Sequence, residues 1–193
     1  MPIKFDQLSP LLAKKLVPVY CVAGEEILLL TEAVDAIRAR ARQLGFSERV
    51  VLHGDTTGFD WRSLGQSTEN LSLFAEQKII EVMLGKKIDE AANQAIQQYL
   101  AQYDGNTVLI LRTGALDKRQ RESAMMKTIE SAGVFLYAWA IGAEQIPQVL
   151  AQRARDLGLW LSSAAAVQLA QRYQGNLLGA QQILHRLSFL YPQ

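Results

Sequence analysis

Cysteine and histidine are scarce in this sequence, and their scarcity excludes several kinds of site. Cys21 is the single cysteine, so the chain can form neither an internal disulfide nor a zinc site built from several cysteines. The two histidines, His53 and His185, lie far apart, and neither has a cysteine or an acidic cluster beside it in the sequence. We therefore expect no Cys/His catalytic pair and no metal site. A single cysteine is also typical of proteins in the reducing cytoplasm.

The sequence also lacks a long apolar run and an excess of charge of one sign. Its longest apolar run, Val134 to Ile141, is far shorter than the roughly 20 residues that cross a bilayer. No basic segment followed by an apolar one opens the chain, so a secretory signal is not expected either. With 20 basic and 19 acidic residues, the net charge is +1, and any binding of nucleic acid requires a local patch. We expect a soluble cytoplasmic protein.

What the sequence does contain is an alternation of short β-rich segments with longer amphipathic ones. The pattern predicts strands at residues 17–23, 49–53, 78–84, 107–112 and 133–139. It predicts helices between them at residues 25–44, 61–67, 88–103 and 117–132. Strands separated by helices in this way favour a parallel β-sheet that is covered on both faces.

After about residue 140 the predicted strands stop, and three consecutive helices follow. These helices are predicted at residues 144–157, 162–173 and 177–190. Gly158 and Gly175 are expected to end the first two, and Ser162 or Ser163 to cap the second at its N-terminus. The sequence thus predicts an α/β domain at residues 1–140 and a small helical domain at residues 141–193.

The positions where such a sheet usually carries its chemistry hold no suitable residues. In open parallel sheets the loop after the first strand is the usual phosphate site, and it needs glycines and a lysine. Here Gly24 is followed by two carboxylates, Glu25 and Glu26, which would repel a triphosphate. No magnesium-binding acid ends the third strand, and Glu81 within it is expected to be an edge or solvent-facing residue. We predict no catalytic residue and no cofactor.

One basic run, Leu116 to Arg121, begins the helix after the fourth predicted strand. It is either a solvated first turn or a contact with nucleic-acid phosphates at the carboxyl edge of the sheet. Two more lysines, Lys86 and Lys87, follow the third strand and would lie at that same edge. The candidate DNA-contacting residues are therefore Lys86, Lys87, Lys118, Arg119 and Arg121.

A short apolar cluster, Leu71-Ser72-Leu73-Phe74, stands between polar residues in the stretch QSTENLSLFAEQ, residues 66–77. Residue types alone favour a corner of the core, since exposed apolar clusters are the minority case. The other interpretation is a surface that is held out to a partner protein.

Three stretches together resemble the delta subunit family of bacterial DNA polymerase III. They are VPVYCVAGEEILLLTEAVDAI, LSLFAEQKIIEVML and YQGNLLGAQQILHRLSFLYP, in the same order as in the family. The resemblance implies an AAA+-like fold, which is a parallel-sheet α/β domain of the P-loop NTPase type followed by a helical lid domain. Family members carry a further helical collar domain. This chain stops at Pro192-Gln193, so we expect the collar to be absent.

The resemblance also implies that the AAA+-like domain is degenerate and neither binds nor hydrolyses ATP. AAA+ lids supply an arginine to the nucleotide from a Gly-Asp-x-Arg stretch, whereas Leu178 stands at that position here, in Gly175-Asn176-Leu177-Leu178. Related clamp-loader subunits carry a four-cysteine zinc module and a Ser-Arg-Cys motif. The single Cys21, preceded by Tyr20, is compatible with neither.

The implied function is that of a non-catalytic clamp-loader subunit within a DNA-directed DNA polymerase, a nucleotidyltransferase holoenzyme. It binds the sliding clamp, the beta subunit, and opens the ring for loading onto primed DNA during replication. Leu73 and Phe74 match the residues that enter an apolar pocket of the clamp, with Leu71 as support and Ser72 as a spacer. The implied partners are the clamp, the gamma/tau and delta prime subunits and primed DNA, and we expect the isolated chain to be a monomer. An atypical ATPase or a DNA-binding module is the alternative.

Overall fold

The computed structural model describes residues 2–69, 77–85 and 88–191. The chain divides into two compact units. The first comprises Met1–Glu25 and Leu29–Ala138, and the second comprises Glu26–Leu28 and Trp139–Gln193.

The first unit is built on a five-stranded sheet, in which all the paired strands are parallel. The strands are β1 (Val19–Gly24), β2 (Glu48–Leu52), β3 (Lys78–Met83), β4 (Thr107–Arg112) and β5 (Val134–Ala138). Their order across the sheet is β2-β3-β4-β1-β5, so β1 lies between β4 and β5. The outer edge of β5 is paired by a bridge, since the N–H of Ile3 donates to the carbonyl of Phe135 at 2.9 Å.

Helices connect these strands and cover the sheet. They are α1 (Leu8–Lys14), α2 (Ile27–Gln43), α3 (Arg62–Glu69), α4 (Glu90–Ala101), α5 (Lys118–Arg121) and α6 (Ala124–Ala132). Alternate strand residues face opposite sides of the sheet, so each central strand contributes to two separate cores. In β1, Tyr20 and Val22 pack with α1 and α2, whereas Cys21 packs with residues of α3, α4 and α6. Burial on both faces explains why the central strands are mostly apolar, although β3 also buries Lys78 and Glu81.

The second unit contains three helices around its own apolar core. These are α7 (Ile146–Asp156), α8 (Ser163–Tyr173) and α9 (Leu177–Leu190). Its core is centred on Leu150, Leu177 and Leu184. Ser162 caps α8 by accepting a hydrogen bond from the N–H of Ala165 at 3.2 Å. The prediction named Ser162 or Ser163 as this cap, and Ser162 is the one that serves. Between α8 and α9, Gly175 has φ +83°, a left-handed conformation that glycine adopts readily.

The sheet and its connecting helices confirm the predicted fold class, with two local differences. The helix predicted at 117–132 is two helices, because Asp117 caps α5 and Ser123 caps α6, so the chain restarts its hydrogen bonding between them. Helix α1 was not predicted. It packs Leu8 and Leu12 into the core on the α2 side of the sheet.

Candidate functional site

The turn after β1, where a phosphate site is expected in this type of sheet, uses its own backbone amides internally. The N–H of Gly24 donates to the carbonyl of Gly114 at 3.1 Å, and the N–H of Glu25 donates to the carbonyl of Ala138 at 2.7 Å. A phosphate-binding loop needs amides that point freely at the anion. Both amides are satisfied by neighbouring segments of the sheet, so neither of them is available to an anion.

Gly24 is required in this turn for steric reasons. Its φ is +144°, and a Cβ atom placed there would lie 2.2 Å from the carbonyl oxygen of Ala138. The glycine therefore serves a close approach between β1 and β5 rather than the approach of a ligand. Glu25 is exposed next to it, which adds negative charge to the turn. Glu26 accepts a hydrogen bond from the N–H of Leu28 at 3.2 Å, a favourable role at the start of a helix.

The expectation that Glu81 is an edge or solvent-facing residue is wrong. Glu81 is only 4% exposed, and its strand β3 lies inside the sheet between β2 and β4. Its carboxylate accepts two hydrogen bonds from Arg49, at 2.6 Å from Nε and 2.9 Å from Nη2, and lies 3.4 Å from Nε of Arg38. The hydrogen bond to Glu81 raises the pKa of Arg49. These partners come from β2 and α2, so a local reading of the sequence cannot find them.

The basic run after β4 forms a well-defined turn and a short helix. Asp117 accepts a hydrogen bond from the N–H of Gln120 at 2.7 Å, while the side chain of Gln120 accepts one from the N–H of Asp117 at 2.9 Å. This reciprocal capping box fixes the start of α5. Lys118 and Arg119 are exposed, and neither forms an ion pair with another residue that the structure describes.

Arg121 differs from the other two cations because its guanidinium group is used inside the fold. Nη1 donates to the carbonyl of Leu116, and Cζ lies 4.9 Å from the centre of the Tyr137 ring. The Tyr137 hydroxyl donates to the same carbonyl at 3.1 Å and accepts from the N–H of Leu116 at 3.2 Å. No sequence signal indicates this role for Arg121 and Tyr137, because it depends on a tertiary contact between the segment after β4 and strand β5, which lie on either side of β1 in the sheet.

Several predicted site residues lie outside the described part of the chain. These are Leu71, Ser72, Leu73 and Phe74 of the candidate clamp-binding element, together with Lys86 and Lys87. The clamp-binding element follows α3 and precedes β3 in the sequence. Their roles therefore stay predictions.

In the helical unit, the position of the AAA+ lid arginine holds an apolar side chain. Leu178 is partly buried and packs against the core of that unit. The preceding Asn176 caps α9 through a 3.0 Å hydrogen bond to the N–H of Gly179. This stretch serves the start of a helix, and Leu178 can supply no charge to a nucleotide.

The two histidines lie at the surface, and the single cysteine lies in the core. His53 and His185 are exposed. Cys21 is completely buried, and its burial raises the pKa of the thiol to about 12, so it is not a reactive thiolate. Within residues 2–69, 77–85 and 88–191, no group of three acidic, histidine or cysteine side chains could hold a metal ion. None of the helices described there has the length and apolar character needed to cross a membrane.

Comparison with known proteins identifies similar sequences. The family model for the DNA polymerase III delta subunit matches residues 20–138. DNA polymerase III subunit delta of Escherichia coli K12 is 32% identical over 191 residues, which are 97% of this chain and 54% of that protein. The corresponding Haemophilus influenzae subunit is 28% identical over 190 residues, 97% of this chain and 55% of that protein. The chain thus spans about half the length of the curated relatives it matches.

Solved structures extend the similarity to the fold. A Bacillus subtilis DNA clamp loader delta protein superimposes with a TM-score of 0.69 at 20% identity, over 96% of this chain and 57% of that one. The Thermotoga maritima RuvB Holliday junction branch migration motor superimposes with a TM-score of 0.56 at 13% identity, over 94% of this chain and 60% of that one. At these identities the likeness supports the fold alone, and it agrees with the AAA+-like class.

Proposed function

Because the chain belongs to the DNA polymerase III delta subunit family, we propose that it binds the sliding clamp and opens its ring for loading onto primed DNA. The observation that carries this proposal is the match to delta subunits along 97% of the chain. It acts by binding and not by catalysis, as a component of the DNA-directed DNA polymerase holoenzyme in the bacterial cytoplasm.

The geometry of the β1 turn supports a role without ATP. The amides of Gly24 and Glu25 are bonded to Gly114 and Ala138, and Glu25 adds a carboxylate where a triphosphate would need positive charge. In the helical unit, Leu178 replaces the arginine of AAA+ lids. These features favour a binding subunit over the alternative of an atypical ATPase.

The contact with the clamp is assigned to Leu73 and Phe74, with Leu71 supporting them and Ser72 as a spacer. Burying a leucine or a phenylalanine stabilises a complex by roughly 1.5–3 kcal/mol each, and aromatic anchors in a partner pocket are typical hot spots. Opening of the ring requires that the subunit bind the open form of the clamp more tightly than the closed form. The contact is small enough to be released after loading.

The test is a double change, Leu73→Ala with Phe74→Ala, in a clamp-binding titration without nucleotide. We expect the binding free energy to weaken by about 3 kcal/mol, which raises Kd about 100-fold. The matched control is Phe189→Ala with Leu190→Ala, because these side chains are 82% and 70% exposed and belong to the same residue types. The control should bind the clamp like the parent chain.

Two results would contradict the assignment. One is unchanged clamp affinity in a double variant whose circular dichroism and unfolding midpoint match those of the parent. The other is an equal loss in both double variants, which would show a general response to removing exposed apolar groups. A chain that fails to co-elute with its clamp in the absence of nucleotide would refute the clamp-binding function itself.

The remaining partners follow from the assembly to which the family belongs. We propose that the gamma/tau and delta prime subunits join this subunit in the loader, while the isolated chain is a monomer. Primed DNA is contacted within the loader by basic residues at the carboxyl edge of the sheet. Lys86, Lys87, Lys118, Arg119 and Arg121 are the candidates, and the exposure of Lys118 and Arg119 specifically favours this second role.

A further inference from the structure

Side-chain hydrogen bonds hold both sides of the turn after β4, which leads into the four-residue helix α5. The capping box between Asp117 and Gln120 fixes its front. Behind it, both backbone polar groups of Leu116 are bonded to the hydroxyl of Tyr137, and Arg121 donates to the same Leu116 carbonyl. A turn whose backbone is secured on both sides presents its exposed side chains from fixed positions and loses little backbone entropy on binding.

We propose that residues 116–121 form a preorganised phosphate-contacting turn, in which Lys118 and Arg119 contact the DNA backbone and Arg121 and Tyr137 are positioning residues. This inference rests on the proposed role at primed DNA and divides that role among the residues. It removes Arg121 from the candidate contacts and adds Tyr137 as a residue that determines binding without touching DNA.

The division follows from what each side chain already contacts. Arg121 is half-buried, and its guanidinium is shared between the Leu116 carbonyl and the face of the Tyr137 ring. Tyr137 is only 4% exposed. Lys118 and Arg119 are exposed at consecutive positions, and no described residue pairs with them. Among the cations of residues 116–121, Lys118 and Arg119 are therefore the two that can turn their charge fully toward an external phosphate.

The local charge balance suits a phosphate backbone. The nearest acidic residues to the two cations in the sequence are Asp117, directly before Lys118, and Glu122, three residues after Arg119. Asp117 is occupied as the cap of α5, where it accepts from the N–H of Gln120. Glu122 is exposed at the opposite end of the helix and reduces the charge of the turn without cancelling it. The arrangement reads no base, so sequence-independent binding is expected.

The test measures binding of the whole chain to a primed-template oligonucleotide by fluorescence anisotropy over a range of salt concentrations. Replacing Lys118 and Arg119 together by Gln should weaken binding and reduce the slope of log K against log salt. The loss of two phosphate contacts should reduce the magnitude of this slope by about 1.4 on single-stranded DNA and by about 1.8 on duplex DNA. The matched control is Lys14→Gln with Lys15→Gln, an exposed adjacent pair near the end of α1, which should leave the slope unchanged.

Positioning is tested with variants that keep the charge. Arg121→Lys retains a cation but loses the planar group over Tyr137, and Tyr137→Phe removes a buried hydroxyl and no charge. Both should weaken binding severalfold and lower the salt slope. A variant that was merely less folded would bind with fewer active molecules but with the parent slope, so the slope separates positioning from instability. Unfolding midpoints are measured alongside.

Each part of the proposal can be overturned separately. Absence of saturable binding at low salt, or a double Gln variant that behaves like the Lys14/Lys15 control, would refute the contact. Loss in the double Gln variant with parent-like slopes for Arg121→Lys and Tyr137→Phe would refute the positioning roles. Clamp binding by these variants reports independently on the proposed function, because the predicted clamp contact does not include them.

Discussion

The turns after β1 and β4 leave adjacent parallel strands at the same edge of the sheet, yet they are built in opposite ways. At the β1 turn, backbone amides of Gly24 and Glu25 point inward to the carbonyls of Gly114 and Ala138. At the β4 turn, side chains hold the backbone from behind, and Lys118 and Arg119 are left exposed. The first turn uses these two amides internally, whereas the second presents two exposed cations.

The difference shows that the position of a turn in the fold does not by itself decide whether the turn can bind a ligand. The carboxyl edge of a parallel sheet is the usual place for a ligand. Whether an anion can bind there depends on which amides and cations remain free after the turn has satisfied its own polar groups. Four predictions test that contrast.

The largest effect is expected at Gly24. Gly24→Ala places a Cβ atom 2.2 Å from the Ala138 carbonyl oxygen at a φ of +144°, so β1 and β5 must separate. We expect a loss of about 3 kcal/mol or more in the free energy of unfolding, measured by urea denaturation. The control is Gly114→Ala, at the residue whose carbonyl accepts from the N–H of Gly24, because a Cβ there meets nothing within 4 Å. Equal stability of the two variants would contradict the close approach.

A smaller effect is expected behind the β4 turn. Tyr137→Phe leaves the N–H of buried Leu116 without its hydroxyl partner, while the Leu116 carbonyl keeps the hydrogen bond from Arg121. We expect a loss of about 2 kcal/mol in the free energy of unfolding. Tyr103→Phe is the control, because Tyr103 is half-buried and no hydrogen bond of its hydroxyl to a described residue is seen. Chemical denaturation of both variants checks the difference. A Tyr137→Phe variant as stable as the control would show that Leu116 is held by other groups.

A still smaller effect on stability is expected from Asp117, the N-cap of α5 at the front of the β4 turn. Asp117→Ala removes the acceptor for the N–H of Gln120 and should lower the free energy of unfolding by about 1 kcal/mol. Asp117→Asn keeps a capping oxygen and should lose much less. If both changes cost the same, the charge of Asp117 rather than its hydrogen bond stabilises the turn.

No effect at all is expected from ATP. Saturating ATP and Mg²⁺ should leave the thermal unfolding midpoint unchanged. A ligand that did bind, at about 100 times its Kd, would raise the free energy of unfolding by about 2.7 kcal/mol. The sharper variant is Glu25→Gln with Glu26→Gln, which removes both carboxylates but leaves the two internal amide bonds. It should still not bind ATP in calorimetry. Binding by this variant alone would show that charge, and not the occupied backbone, closes the turn.

Much of the fold was predictable, because buried parallel strands have a simple signature. Thr107–Arg112 was predicted with the observed bounds, since a central strand that is buried on both faces is a continuous apolar run. The break between α5 and α6 had a signal in Ser123, which is a good N-cap, but the periodic apolar pattern concealed it. Helix α1 was missed because its seven residues are too short for a clear helical period.

The candidate site was predictable only where composition decided it. Two carboxylates after Gly24 were enough to argue against a phosphate loop, and Leu178 cannot act as an arginine. Glu81 was misplaced because its partners Arg38 and Arg49 lie on other elements, and a buried carboxylate is tolerated only with such partners. The assignment of Leu71 to Phe74 rests on resemblance, and it stays a prediction.

The sequence by itself determined the order of strands and helices and excluded an internal disulfide, because these depend on local period and residue type, and three of its stretches carried the family resemblance. Only the tertiary structure decided which polar groups remain free at the sheet edge. That outcome depends on contacts between residues distant in sequence, such as Gly24 with Gly114 and Arg121 with Tyr137. Hydrogen bonding is satisfied group by group in space, so a linear pattern cannot show what is left over.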